Sequence, residues 1–438
     1  MIDNSKNTDS SVTQDVTRAM TFPELLAPAG NYEKLVTAVH YGADAVYLGG
    51  KQFSLRAKAG NFSPEAMRDG VNFAHEHGVQ VYVTINIFAH NQDLGALPLY
   101  LLELDEIGVD GIIISDPGVL SIAKRTVPGM SIHLSTQANV TNHESAQFWL
   151  DQGASRLNLA RELSLVEISE IRSKVQGELE IFVHGALCIS YSGRCMLSNY
   201  LTGRDANKGS CAHPCRFSYS LVEEKRPGEY YPVQEDERGT YIFNSKDLCL
   251  LEMLPLLVAS GVDSLKIEGR MKSIFYVGGV VRIYRAALEY LKALPEDAWK
   301  EPEKIRFPDT FIDEISRSGT RGMTENFIID KPGSSEMIYS SSRAEQGYEP
   351  VAVIRGAGEA PFVEIRNTVR PGEEIEYMLR GADCNRVTIT RLEDEDGRVI
   401  EKANPGNKLF VFTEPALVEC EVNAIFRRKK KQLQQLVV

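Results

Sequence analysis

The stretch Gly42-Ala43-Asp44-Ala45-Val46-Tyr47-Leu48-Gly49 decides the fold. A glycine, a small apolar residue and an aspartate, followed by a short apolar run, read as the end of a helix feeding a strand. Glycine takes the left-handed turn that closes a helix without a Cβ penalty. The same joint recurs as Gly108-Val109-Asp110 and Gly261-Val262-Asp263. Working outward from it, the apolar runs predict strands at Glu24–Pro28, Asp44–Leu48, Val79–Asn86, Asp110–Ser115, Ser131–Thr136, Arg156–Leu159, Glu180–His184 and Asp263–Ile267. Between them, apolar residues at helical spacing predict helices such as Tyr32–Tyr41, Pro64–Glu76, Leu97–Ile107, His143–Asp151 and Leu165–Lys174. Eight units over about 270 residues favour a closed (β/α)8 TIM barrel. An open doubly wound sheet usually ends at fewer strands.

After the seventh strand the rhythm breaks into an insertion, residues 185–246, on the face where such barrels carry their chemistry. It contains His184-Gly-Ala-Leu-Cys188-Ile-Ser-Tyr-Ser-Gly-Arg-Cys195 and Gly209-Ser-Cys211-Ala-His-Pro-Cys215, then a polar run ending in Tyr241-Ile-Phe-Asn-Ser. Four of the seven cysteines therefore fall within 28 residues. Structural zinc sites favour cysteine pairs separated by two to four residues, and only Cys211 and Cys215 fit that rule. The wide first pair, Gly193, Gly209 and Pro214 suit a bulkier centre, and four thiolates suit a 4Fe–4S cluster. Zinc and four unreactive thiols are the alternatives. Cys249, Cys384 and Cys420 stand alone and read as core.

Candidate site residues follow from position at strand ends. His184 ends the seventh strand, pointing either at the mouth or into the core, and is a candidate proton donor or acceptor. Thr84 and Asn86 share one side of the third strand by its period of two. His133, Gln137 and Asn139 alternate in the same way, and their groups can orient a polar ring or sugar. Lys266, Glu268 and Arg270 cluster at the eighth strand end, where Lys266 and Glu268 are candidate catalytic groups. Arg270, with Arg161 at the sixth, offers bidentate partners for a carboxylate-bearing substrate. The competing account of Glu268 is an ion pair with Arg270 or Lys266.

The chain of 438 residues has 43% hydrophobic and 25% charged residues, so a substantial core is expected. A net charge of −12 argues against broad attraction to nucleic acid. Arg427-Arg428-Lys429-Lys430-Lys431 is a local basic run, read as either a solvated tail or an RNA contact. No apolar stretch is long enough to span a bilayer, and residues 1–21 read as a disordered lead without a secretory signal, which predicts a cytoplasmic protein. The barrel is assigned to 22–294, a linker and connecting helix to 295–345, and a small all-β barrel with the basic tail to 346–438. Its expected strands are Tyr348–Arg355, Phe362–Thr368, Glu374–Leu379, Arg386–Leu392 and Lys408–Phe412. Nucleophile-elbow, Walker and His-Glu-x-x-His motifs are absent from the sequence. A Cys188–His184 peptidase pair is compatible with the residue types.

Glu24-Leu-Leu-Ala-Pro-Ala-Gly30, Gly42-Ala-Asp-Ala-Val-Tyr-Leu-Gly49, His133-Leu-Ser-Thr-Gln-Ala-Asn139 and Val183-His-Gly-Ala-Leu-Cys-Ile-Ser-Tyr-Ser-Gly-Arg-Cys-Met-Leu-Ser198 resemble the collagenase-like U-type peptidase family, number thirty-two. The resemblance spans residues 22–290 and, more loosely, the C-terminal part through Val363-Glu-Ile-Arg-Asn367 and Pro371-Gly-Glu-Glu374. Despite its name, that family includes RNA-modifying members and partners in ubiquinone hydroxylation that carry an iron–sulfur cluster. The resemblance implies ligation by Cys188, Cys195, Cys211 and Cys215. Chain length and the small C-terminal domain most resemble its tRNA-hydroxylating members. These imply prephenate-dependent formation of 5-hydroxyuridine at the wobble position, with tRNA and prephenate or a similar dicarboxylate as partners. A collagenase-like peptidase and a non-catalytic partner lending its cluster to another hydroxylase are the other readings.

Overall fold

A computed structural model describes residues 21–54, 60–188, 190, 192–204, 206, 209–216, 220–221, 231–232, 244–319, 322–329, 337–338, 346–358, 360–417 and 419–430. The expected lead over 1–20, Tyr241-Ile242-Phe243, part of the linker and Lys431 lie outside the described residues. Seven parallel strands come first: β1 (Glu24–Pro28), β2 (Ala45–Leu48), β3 (Gln80–Ile85), β4 (Gly111–Ile114), β5 (Ser131–Leu134), β6 (Arg156–Asn158) and β7 (Glu178–Ala186). After β8 (Asp247–Cys249), the eighth parallel strand, β9 (Ser264–Ile267), closes the cylinder by pairing with both β7 and β1.

The Gly-x-Asp joints do more than end helices. Gly42, Gly108 and Gly261 have φ of +94°, +86° and +75°, the left-handed region that favours glycine. Each following aspartate then grips an adjacent strand at two points. Asp44 N–H donates to Leu25 O at 3.0 Å while Leu25 N–H donates to Asp44 Oδ2 at 2.8 Å. Asp110 makes the same clamp on Val81, at 3.0 and 2.7 Å, and Asp263 on Leu179, at 2.8 and 2.9 Å. The amides of the second residues of β1, β3 and β7 are thereby satisfied at the N-terminal end of the barrel.

The chain leaves the barrel later than its hydrophobic pattern suggests. The upper part of β7, His184 to Ala186, pairs antiparallel with β8 in the register Asp247↔Ala186 and Cys249↔His184. A short strand, β10 (Met323–Thr324), adds to β8. Both ends of the cysteine-bearing insertion are thus stapled to one strand. The expected fifth strand stops early because Ser135 Oγ accepts from Gln137 N and turns Thr136–Ala138 into a 3-10 helix, with Asn139 left-handed at φ 56°. Gln137 and Asn139 therefore do not continue the alternation of His133.

Residues 348–429 form a closed six-stranded antiparallel barrel of β11 (Tyr348–Gly356), β12 (Phe362–Ile365), β13 (Glu374–Met378), β14 (Cys384–Glu393), β15 (Lys408–Glu414) and β16 (Ile425–Lys429). The last strand corrects the reading of a solvated basic tail at Arg427 and Arg428, while Lys429 and Lys430 are exposed. Arg427 is fully buried, with ion pairs to Glu314 at 2.8 Å and Glu376 at 2.7 Å, and Arg428 pairs with Glu349 at 2.8 Å and with Glu373. Their long charged side chains masked an ordinary strand alternation in which Phe426 fills the small barrel and its neighbours face outward. Tyr41, from the helix following β1, ties the barrels together: Ile425 N–H donates to its Oη at 3.0 Å.

Candidate functional site at the barrel mouth

The insertion is seated on the C-terminal rim by named contacts. Ser192 N–H donates to Glu162 Oε1 at 2.9 Å, and Arg161 Nη1 donates to Ala186 O at 3.0 Å. Gly193, at φ +73°, lies so close to Gln137 that a Cβ would stand 2.3 Å from its carbonyl oxygen. Any side chain there would lift the loop off the rim.

The four cysteines form no disulfide; Cys188 is exposed and Cys195, Cys211 and Cys215 are half-buried. The hydrogen bond between Cys188 and Cys195 lowers the Cys195 thiol, to about 5, helped by the backbone N–H groups of Leu197 and Ser198, and the same bond raises Cys188. His213 N–H points at Cys211 Sγ at 3.4 Å. Thiolates accepting backbone N–H groups are the donor chemistry that iron–sulfur ligation uses. Among the described residues no three His, Cys, Asp or Glu side chains stand as a group that would hold a single metal ion.

Beneath the loop the barrel interior is charged. Glu180, 1% exposed, accepts from Lys266 Nζ and from Asn158 Nδ2, each at 2.6 Å. Lys266 Nζ lies 4.6 Å from the centre of the Tyr47 ring, and Tyr47 Oη lies 3.0 Å from Glu268 Oε2. Arg156 donates to Glu24 at 2.6 Å and to Glu178 at 2.7 Å lower down. His133 is buried against Tyr82, and burial, reinforced by Arg156 and Lys266, holds it well below the usual imidazole range. Lys266 is thus paired with Glu180 rather than with Glu268.

The other candidates lie around the rim or behind it. Arg270 Nη1 donates to Ser54 Oγ and Thr84 Oγ1, both at 2.9 Å. The Arg161 guanidinium stacks 3.9 Å from the centre of the Phe182 ring. Asn86 and Gln137 are half-buried at the ends of β3 and β5. Asn139 keeps a buried Oδ1 without a partner among the described residues. His184 is buried between the rings of Tyr276 and Tyr284, on helix Ile274–Lys292, and burial lowers it to about 4, so it is a neutral imidazole. It therefore occupies the core, one of the two positions its place on β7 allowed.

Glu180, Asn158, Tyr47 and Glu162 escaped the sequence reading. Glu180 carried a signal: an acid inside an apolar strand, at the same parity as Phe182. Glu162 carried none, because its partner Ser192 lies 30 residues away.

A parallel barrel with a cysteine-rich loop on its catalytic rim and an all-β barrel behind it is a defined class of protein. The chain belongs to Peptidase family U32: residues 30–338 match the family and residues 346–427 match its C-terminal domain. It is 40% identical to tRNA hydroxylation protein P1 of Bacillus subtilis over 87% of this chain and 89% of that one. It is 36% identical to tRNA hydroxylation protein P of Escherichia coli over 92% and 95% of the two chains. A 23S rRNA 5-hydroxycytidine synthase of Escherichia coli is 34% identical over 71% of this chain and 46% of its own.

Proposed function

We propose that this protein hydroxylates tRNA at C5 of the wobble uridine, with prephenate or a similar dicarboxylate as co-substrate and a 4Fe–4S cluster held by Cys188, Cys195, Cys211 and Cys215. The observation that carries the reading is the placement of four thiols on a loop fixed to the barrel mouth through Ser192 and Glu162. Similarity to hydroxylation proteins over nearly their whole length supports the reaction class. When bound, such a cluster supplies iron chemistry, electron transfer or Lewis acidity, to the site.

The chain's own residues supply binding and orientation. Arg161, held by Ala186 O and Phe182, and the buried Arg270, held by Ser54 and Thr84, are the cations that would meet the carboxylates of such a co-substrate. Asn86, Gln137 and Asn139 offer amides to a pyrimidine edge. Glu268, steadied by Tyr47 Oη, is the carboxylate best placed to hold a proton at Oε2, and Lys266 stands below it, fixed by Glu180. His184 remains neutral and braces the strand end, where Glu268 N–H donates to its carbonyl at 2.8 Å.

Mass spectrometry of tRNA nucleosides from a deletion strain tests the proposal. The deletion should lose 5-hydroxyuridine and its derivatives, the wild-type chain should restore them, and Cys188→Ala should not. Unchanged 5-oxyuridine nucleosides in the deletion would remove the reading.

A further inference from the structure

The helix Leu197–Thr202 follows Cys195 directly and has two unlike faces. Ser198, fully buried, accepts from Ala212 N–H at 2.9 Å and donates to Arg204 O at 2.6 Å, which fixes the helix to the Cys211 segment. Gly203, left-handed at φ +64°, closes it. The opposite face carries Met196, 65% exposed, and Tyr200, 87% exposed, four residues apart. Single exposed apolar residues need no partner, but a methionine and a tyrosine on adjacent turns of one helix face form a contiguous surface. Arg194, exposed and without an ion-pair partner among the described residues, lies in the segment that leads into this helix, six residues before Tyr200. In sequence, residues 188–216 hold Arg194, Arg204, Lys208 and Arg216 against Asp205, a basic island in a chain of net charge −12.

We propose that Tyr200 and Met196, with Arg194, form a stacking platform for an unpaired nucleobase of the RNA substrate. This rests on the RNA reading above. An aromatic face next to a cation is what single-stranded RNA selects, because every base presents a π-face and every nucleotide a phosphate. The platform is pre-ordered by Ser198 and Gly203, so binding does not have to order the helix. It holds a loop nucleotide beside the mouth while the neighbouring base enters.

The test uses full-length protein prepared anaerobically and a labelled anticodon stem-loop with uridine at the wobble position, with affinity read by fluorescence anisotropy. Tyr200→Ala should raise Kd about tenfold, and Tyr200→Phe should stay within about twofold because the ring remains. Arg194→Ala should weaken binding and flatten the salt dependence by about one unit of slope. Thermal midpoints and iron content should match wild type, since these side chains are exposed. Wild-type Kd in Tyr200→Ala overturns the platform, and so does a Tyr200→Phe loss as large as that of Tyr200→Ala. Unchanged RNA affinity together with lost self-association in Tyr200→Ala assigns the face to a protein contact and overturns it equally. A deletion strain that keeps its nucleosides removes the RNA reading itself, whereas wild-type binding with an indifferent Tyr200→Ala removes the platform alone.

Discussion

Inside the parallel barrel, Glu180, Lys266, Arg156, Asn158 and His133 are all buried; inside the six-stranded barrel, the same space is filled by Ile354, Val363, Ile375, Leu409 and Phe426. The small barrel's buried Arg427 points the other way, to Glu314 on helix Asp309–Arg317. Parallel barrels are ordinarily filled by branched apolar side chains. Burying charge costs far more than burying leucine unless every group is paired. The apolar barrel is therefore organised for packing and docking. The charged one runs polar contacts from Glu24 at its base, through Arg156 and Glu180, to Lys266 and the Tyr47–Glu268 contact under the cysteine loop.

The largest effect should come from breaking the interior pair. Glu180→Ala strands the Lys266 ammonium and should cost about 4 kcal/mol in urea unfolding. The double change Glu180→Leu with Lys266→Met should recover most of that stability, because matched apolar groups replace the pair. If the pair serves chemistry, this stable double variant should still fail to restore the tRNA nucleosides. Full restoration would reduce the charged interior to a structural feature.

Acid should sharpen the contrast next. His184 and His40 are both lowered to about 4 by burial. Between pH 6.5 and pH 4 the unfolded chain then binds more protons than the folded one. Stability is fully present above the unfolded pKa and is lost as pH falls through that window. Each such histidine should cost about 2 kcal/mol between pH 7 and pH 5. His184→Gln should flatten the fall measured by urea unfolding at the two pH values; an unchanged slope would contradict the burial argument.

Smaller effects belong to the base and to the small barrel. Asp110→Ala removes the carboxylate half of one of the three clamps, along with its contact to His75, and should cost about 1.5 kcal/mol in the same assay. A loss below a few tenths would show that water replaces the clamp. Lys429→Ala should change stem-loop Kd by less than about twofold, since Arg427 and Arg428 are consumed by ion pairs and a lone surface charge contributes little. A large loss would return the basic run to the RNA surface.

The parallel barrel was legible because its joints repeat: glycine, small residue and aspartate mark helix ends at 42, 108 and 261, whatever the tertiary contacts. The reciprocal hydrogen bonds of Asp44, Asp110 and Asp263 were not, because a carboxylate gripping a neighbouring strand leaves no periodicity. At the site, the thiols could be located from spacing, and the rim arginines from strand ends. Glu162 and Tyr47 could not, because each matters through a partner distant in sequence. β16 was missed because Arg427 and Arg428 read as solvated charge until their carboxylate partners from other strands and helices are in place.

The most direct measurement of the central claim is iron and acid-labile sulfide per chain in anaerobically purified full-length protein, beside Cys188→Ala. The account predicts about four of each in the wild type, with loss in the variant at an unchanged circular dichroism spectrum. Wild-type protein holding neither iron nor sulfide, or holding zinc alone, would contradict it.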